Sequence, residues 1–116
     1  MEYSKELQNK IIAYYEAYYK SCGLFNFKER AESRLDEESR EEKNLQVLKF
    51  ALNFDFDNKK HLIVGAGTGG LAVVLKQKYN GEVFGIEPEA EEFEIIRGKC
   101  QEAGLNFLNF KKGFAE

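Results

Sequence analysis

Residues 61–70 read His61-Leu62-Ile63-Val64-Gly65-Ala66-Gly67-Thr68-Gly69-Gly70. A short apolar run, Leu62 to Val64, feeds a turn dense in glycine, and an apolar-rich helical stretch opens at Leu71. Strand, glycine loop and helix in this order hold nucleotide-like cofactors in a doubly wound α/β sheet. Glycine permits the sharp turn and the close approach of a ligand, because no Cβ blocks either. The helix that follows presents its unpaired first-turn N–H groups toward that ligand.

Downstream of this stretch, short strands alternate with helices. Residues 70–79 predict a helix with Leu71, Val74 and Leu75 facing inward, stopped by Asn80-Gly81. Glu82 to Ile86 reads as the second strand, ended by Glu87-Pro88. Glu89 to Ala103 reads as the second helix, with Phe93, Ile96 and Cys100 along one side and Gly104 as its stop. Glu89, Glu91 and Glu92 crowd its first turn, where the helix dipole favours acids. Asn106 to Phe110 is expected as the third strand. The resulting β-α-β-α-β order is half of a doubly wound parallel sheet.

Upstream, residues 3–21 predict a helix whose stripe is Leu7, Ile11, Tyr14, Tyr15 and Tyr18. Its aromatic run, Tyr14 to Tyr19, suits a helix packed on the main body, or part of a lid over the cofactor site. Residues 28–43 carry charges of mixed sign and read as a solvated helix face, from which Arg34 could reach a cofactor carboxylate. Leu45, Leu48 and Leu52 are expected to form a buried stripe, on one long or broken helix over about 29–54. The chain thus divides into a helical segment, 1–58, and a strand-containing region, 59–116.

Composition narrows the function classes. In 116 residues there are 17 Lys and Arg against 20 Asp and Glu, a formal charge of −3. Nucleic acid is disfavoured, since binding it needs a basic stripe. No apolar run approaches the roughly 20 residues of a membrane span, and the amino terminus lacks the pattern of a signal peptide. The two cysteines, Cys22 and Cys100, stand apart and there is one histidine. No metal site is expected, Cys100 is expected to pack as a small hydrophobe, and a reducing cytoplasm is the natural compartment.

Two features fall at the carboxyl ends of neighbouring strands: the glycine loop and Glu87. An acid roughly 20 residues past such a loop can accept the hydroxyl hydrogens of a ribose, so the pair points to an adenosine-type ligand.

These residues resemble the class I S-adenosylmethionine-dependent methyltransferases. Leu62 to Gly70 looks like that family's first motif, and Val83-Phe84-Gly85-Ile86-Glu87-Pro88 looks like its second. Lys112-Gly113-Phe114-Ala115-Glu116 looks like its third, whose loop flanks the adenine. The resemblance covers 61–116 and implies a Rossmann-like sheet preceded by a helical segment. It also implies that S-adenosyl-L-methionine is the cofactor. By this likeness Gly65, Ala66, Gly67, Thr68 and Gly69 would line its methionine and ribose side, Glu87 would hold the ribose hydroxyls, and Pro88, Phe114 and Ala115 would flank the adenine. Ile63 stands where the family commonly has an acid, and Phe114 where it often has Asp. No catalytic residue is assigned, and the implied acceptor is a small molecule.

The family's sheet continues through four more strands, beginning beside strand one. The expectation is therefore the front portion of a longer protein, or a chain whose sheet a partner completes. Two other readings stay open. Gly65 to Gly70 also satisfies G-x-G-x-x-G, which suits an NAD- or FAD-binding oxidoreductase. A non-catalytic partner module is the other.

Overall fold

The computed structural model describes residues 2–115. Three helices open the chain: α1 (Lys5–Ser21), α2 (Phe27–Ser33) and α3 (Glu37–Leu52), with a 3-10 turn, Arg34–Asp36, between the last two. Ser4 caps α1 by accepting the Leu7 N–H at 3.2 Å. The expected stretch over 29–54 is therefore broken. The break lets Arg34 and Glu37 both turn toward α1 and the glycine loop.

The remainder is β1 (Lys60–Val64), α4 (Gly70–Tyr79), β2 (Glu82–Glu87), α5 (Ala90–Ala103) and β3 (Phe110–Lys112). The strands form a parallel sheet in the order β1-β2-β3. Ile63 pairs with Gly85 and Gly85 with Phe110, so these three share one face. That face is covered: Val83, Phe110, Ile96, Cys100 and the α4 residues Ala72, Val74 and Leu75 are buried in one cluster. Left-handed Asn80 (φ +52°) and Gly104 (φ +80°) stop α4 and α5.

The opposite face is more open, with Phe84 and Ile86 of β2 half-buried. Leu62 and Val64 on β1 are 64% and 62% exposed, and the open edge of β1 lies beside them. Parallel sheets ordinarily bury both faces, so this face is the unusual feature of the architecture.

A second cluster joins the amino-terminal helices to the rest: Tyr3, Leu7, Ile11, Tyr15 and Ala31 pack with Ile95 of α5. Leu45 of α3 belongs to the sheet cluster instead.

Several expectations are corrected. The third strand begins at Phe110, because Asn106 accepts the Leu108 N–H and winds Phe107–Asn109 into a 3-10 turn. Of the expected stripe on α3, Leu45 is buried while Leu48 and Leu52 are exposed, as is Tyr18 on α1. Residues 28–43 are not uniformly solvated: Ala31 and Glu37 are buried. No helix among the described residues is long and apolar enough to cross a membrane.

Candidate functional site

The glycine loop joins β1 to α4. Gly65, Gly67 and Gly69 all have positive φ (+72°, +60° and +87°), which explains the spacing of glycines there. The N–H groups of Gly65 and Ala66 both donate to the Ile86 carbonyl, at 2.9 and 3.0 Å, and this pins the loop to the end of β2. A Cβ at Gly65 or Gly67 would meet nothing within 4 Å, so the outer edge of the loop is open. At Gly69 it would meet Ile96 at 3.2 Å, and at Gly70 it would strike Glu37 at 2.5 Å. The first two glycines therefore leave space, while the last two admit neighbouring side chains.

Glu87 ends β2 and is 5% exposed. Its Oε1 accepts the Gly67 N–H at 2.7 Å and its Oε2 the Glu89 N–H at 2.8 Å. A carboxylate has about four acceptor positions, and besides these two N–H groups the Glu92 carboxyl lies against Glu87. The Glu87 carbonyl accepts the Gly113 N–H at 3.1 Å, bringing the 113–115 segment beside the end of β2. Phe114 is 72% exposed there, Ala115 is exposed and Pro88 is half-buried. Glu116, the last residue of the expected third motif, lies outside the described residues.

Thr68, 1% exposed, connects the loop to the amino-terminal helices. Its hydroxyl donates to Glu37 Oε2 at 2.7 Å and lies 3.0 Å from the Tyr15 hydroxyl. Because Thr68 has one hydrogen and gives it to the carboxylate, Tyr15 must be the donor to Thr68. Arg34 Nη2 in turn donates to the Tyr15 hydroxyl and to Glu37 Oε1, each at 2.9 Å. Its guanidinium also lies 4.4 Å from the centroid of the Tyr15 ring.

Lys99 of α5, 1% exposed, completes the network. Its Nζ is 2.9 Å from Glu37 Oε2 and 2.9 Å from Glu38 Oε1, and the Tyr3 hydroxyl donates to the same Glu38 oxygen. Burial alone would raise the Glu37 carboxyl, but Lys99, Thr68 and Arg34 outweigh it and hold the group below the usual carboxylate range. Burial raises the Tyr15 hydroxyl, which stays neutral and able to donate.

A smaller acidic group flanks Glu87. Tyr14 donates to Glu92 Oε1 at 2.8 Å, and Glu89 caps α5 by accepting the Glu92 N–H. Burial, with Glu87 and Glu89 nearby, raises the Glu92 carboxyl despite the Tyr14 bond. A hollow of about 430 Å³ between α1 and α5 is floored by Ala13, Ala90 and Ile95, and no glycine-loop residue lines it.

The structure thus brings Gly65 to Gly69, Glu87 and the backbone of Gly113 to one end of the sheet. Arg34 lies beside Glu37, Tyr15 and through them Thr68, but it touches neither Glu87 nor Gly67. Sequence reading missed Glu37, Glu38, Lys99 and Tyr3. The one local signal was Gly70, a glycine beyond those the turn requires, which marks the close approach of another group. Compared with known proteins, the chain matches no family model and no curated protein sequence.

Proposed function

We propose that this chain is the cofactor-binding part of an S-adenosylmethionine-dependent methyltransferase with a Rossmann-like, doubly wound sheet. The observation that carries the reading is the hydrogen bond from Gly67 N–H to Glu87 Oε1, 2.7 Å long. It joins the acid at the end of one parallel strand to the middle of the glycine turn after its neighbour. A ribose diol lying against both would meet the acid and the open turn together.

On this reading the ribose hydroxyls donate to the remaining acceptor positions of Glu87. They approach from the side that Gly65 and Gly67 leave open. Pro88, Phe114 and Ala115 flank the adenine, with Phe114, 72% exposed, turning onto the ring. Tyr14 and Tyr15 make α1 a cover over the loop. The cofactor, when bound, supplies an electrophilic sulfonium methyl for a nucleophilic O, N or C of a small-molecule acceptor. The chain orients that group and excludes water from it. No side chain is assigned as a catalytic base.

Calorimetric titration with S-adenosylhomocysteine, alongside NAD and FAD, tests the reading. Selective binding of the homocysteine compound is expected, weakened about 10- to 100-fold in Glu87→Ala by loss of charge-assisted hydrogen bonds. Selective binding of NAD or FAD would overturn it.

A further inference from the structure

A second acid stands against the one proposed to hold the ribose. Each oxygen of Glu87 accepts one backbone hydrogen, from Gly67 at 2.7 Å and from Glu89 at 2.8 Å. The half-buried Glu92 carboxyl, in the first turn of α5, is hydrogen-bonded to the same side chain. Two carboxyl groups can bond in this way only if one of them carries the proton, because two carboxylates repel and neither can donate. Glu87 already serves two N–H groups as an acceptor, so the proton belongs on Glu92. Tyr14 of α1 donates to Glu92 Oε1 at 2.8 Å, which leaves Oε2 to carry the hydrogen. The other charged groups around Glu92 are engaged elsewhere or acidic. Glu89 accepts the Glu92 N–H at 2.6 Å, and across the neighbouring hollow Lys10 pairs with Glu6 at 3.8 Å and Glu94 with Arg97 at 3.1 Å.

We infer that Glu92 is an internal competitor for the ribose: its carboxyl O–H takes an acceptor position on Glu87, Tyr14 steadies it there, and an adenosyl ligand must displace it. The inference rests on the proposed adenosyl site and adds a regulation of it. The displacement balances as a proton exchange. Ribose O–H groups donate to Glu87, the Glu92 carboxyl turns out to solvent, and its proton passes to the buffer wherever the pH exceeds the ordinary Glu value of about 4.3. The first turn of α5 favours the anion left behind. Binding therefore releases a proton, and affinity rises with pH until Glu92 is ionised in the free chain as well. Because Tyr14 lies on α1, the contact also ties the amino-terminal helix to occupancy of the site.

The test is calorimetric titration of the whole chain with S-adenosylhomocysteine from about pH 5 to 8, in buffers of different ionisation enthalpy. Release of roughly half a proton or more at pH 5 is expected, with affinity about tenfold higher near neutrality. In Glu92→Gln the amide can donate to Glu87 and accept from Tyr14 but has no proton to lose, so binding should not vary with pH. In Glu92→Ala the competitor is gone, and binding at pH 5 should tighten about tenfold. A wild type with no proton release across this range would overturn the inference, and so would a folded Glu92→Ala that binds no more tightly. Should Glu92→Ala not fold, the wild-type proton count decides alone. Failure of the wild type and Glu92→Ala alike to bind at any pH would instead overturn the adenosyl reading. The carbon resonance of the Glu92 carboxyl in the free chain then decides the contact: it should titrate above the usual carboxylate range and move back toward it in Glu87→Gln, and an ordinary titration in the wild type would refute the contact.

Discussion

Glu37 and Lys99, 62 positions apart, meet at 2.9 Å where α3, α5 and the glycine loop converge. The pair fastens the amino-terminal helices to the loop through a continuous run of hydrogen bonds. The Tyr15 hydroxyl donates a hydrogen bond to Thr68, the Thr68 hydroxyl donates one to Glu37, and Lys99 and Arg34 balance the charge. A buried ion pair is stable only when its remaining hydrogen-bonding capacity is met, and here the network meets it.

Removing the cation exposes that dependence. Lys99→Met leaves Glu37 and Glu38 without their buried partner and is expected to cost about 3–5 kcal/mol. Most small domains have only about 5–15 kcal/mol in total, so the urea midpoint should fall sharply. A loss below about 1 kcal/mol would mean that the pair contributes little.

Gly70→Ala drives a methyl group into Glu37 and should cost about 1–3 kcal/mol. In a Glu37→Ala background the same substitution should be neutral or slightly stabilising, because Ala favours helix over Gly. A double-mutant cycle by chemical denaturation reads the coupling directly, and additive effects would contradict the contact.

The acid side of the stability profile follows from Glu37. Its carboxyl is lower in the folded chain than in the unfolded one, so it binds fewer protons when folded. Its contribution is complete above the unfolded value of about 4.3 and is lost as pH falls through the folded value. Near-ultraviolet circular dichroism of Tyr15 and its neighbours should lose intensity over that window, and Glu37→Gln should flatten the change.

Glu92 works in the opposite sense. Burial and its acidic neighbours raise its carboxyl, so stability declines as pH rises from the unfolded value through the folded one. Glu92→Gln keeps an acceptor for Tyr14 and should stabilise the chain at neutral pH by about 0.5 kcal/mol, a small figure because solvent reaches the group. The gain should vanish in acid, as thermal melts at several pH values would reveal.

On the open sheet face, Val64 packs against little that a charge would disturb. Val64→Lys should change stability by less than about 0.5 kcal/mol while lowering concentration-dependent association. Sedimentation velocity separates the two effects.

Much of the strand region was legible because its signals are local. Asn80 and Gly104 end α4 and α5 in the left-handed conformation that those residue types favour. The positive φ values of Gly65, Gly67 and Gly69 follow from the turn they must make, and Glu87 sits at the predicted strand end. The error at β3 was also local, since Asn106 could as readily cap a 3-10 turn as open a strand.

The network could not be read in this way. Glu37 lies in a run of mixed charges that looks solvated, and Lys99 lies on a helix whose apolar side is marked by Phe93, Ile96 and Cys100. Their burial depends on how α3 packs on α4 beside α5, a tertiary relationship with no periodic trace. Leu48 and Leu52 fail for the matching reason: an apolar stripe is buried only where another element covers it.

The most direct test of the account follows the backbone amide resonances of the whole chain as S-adenosylhomocysteine is added. Shifts concentrated at Gly65 to Gly69, Glu87 to Glu89 and Gly113 to Ala115 are predicted, saturating together and lost in Glu87→Ala. Shifts confined to the hollow between α1 and α5, or none at saturating ligand, would contradict an adenosyl site on the glycine loop.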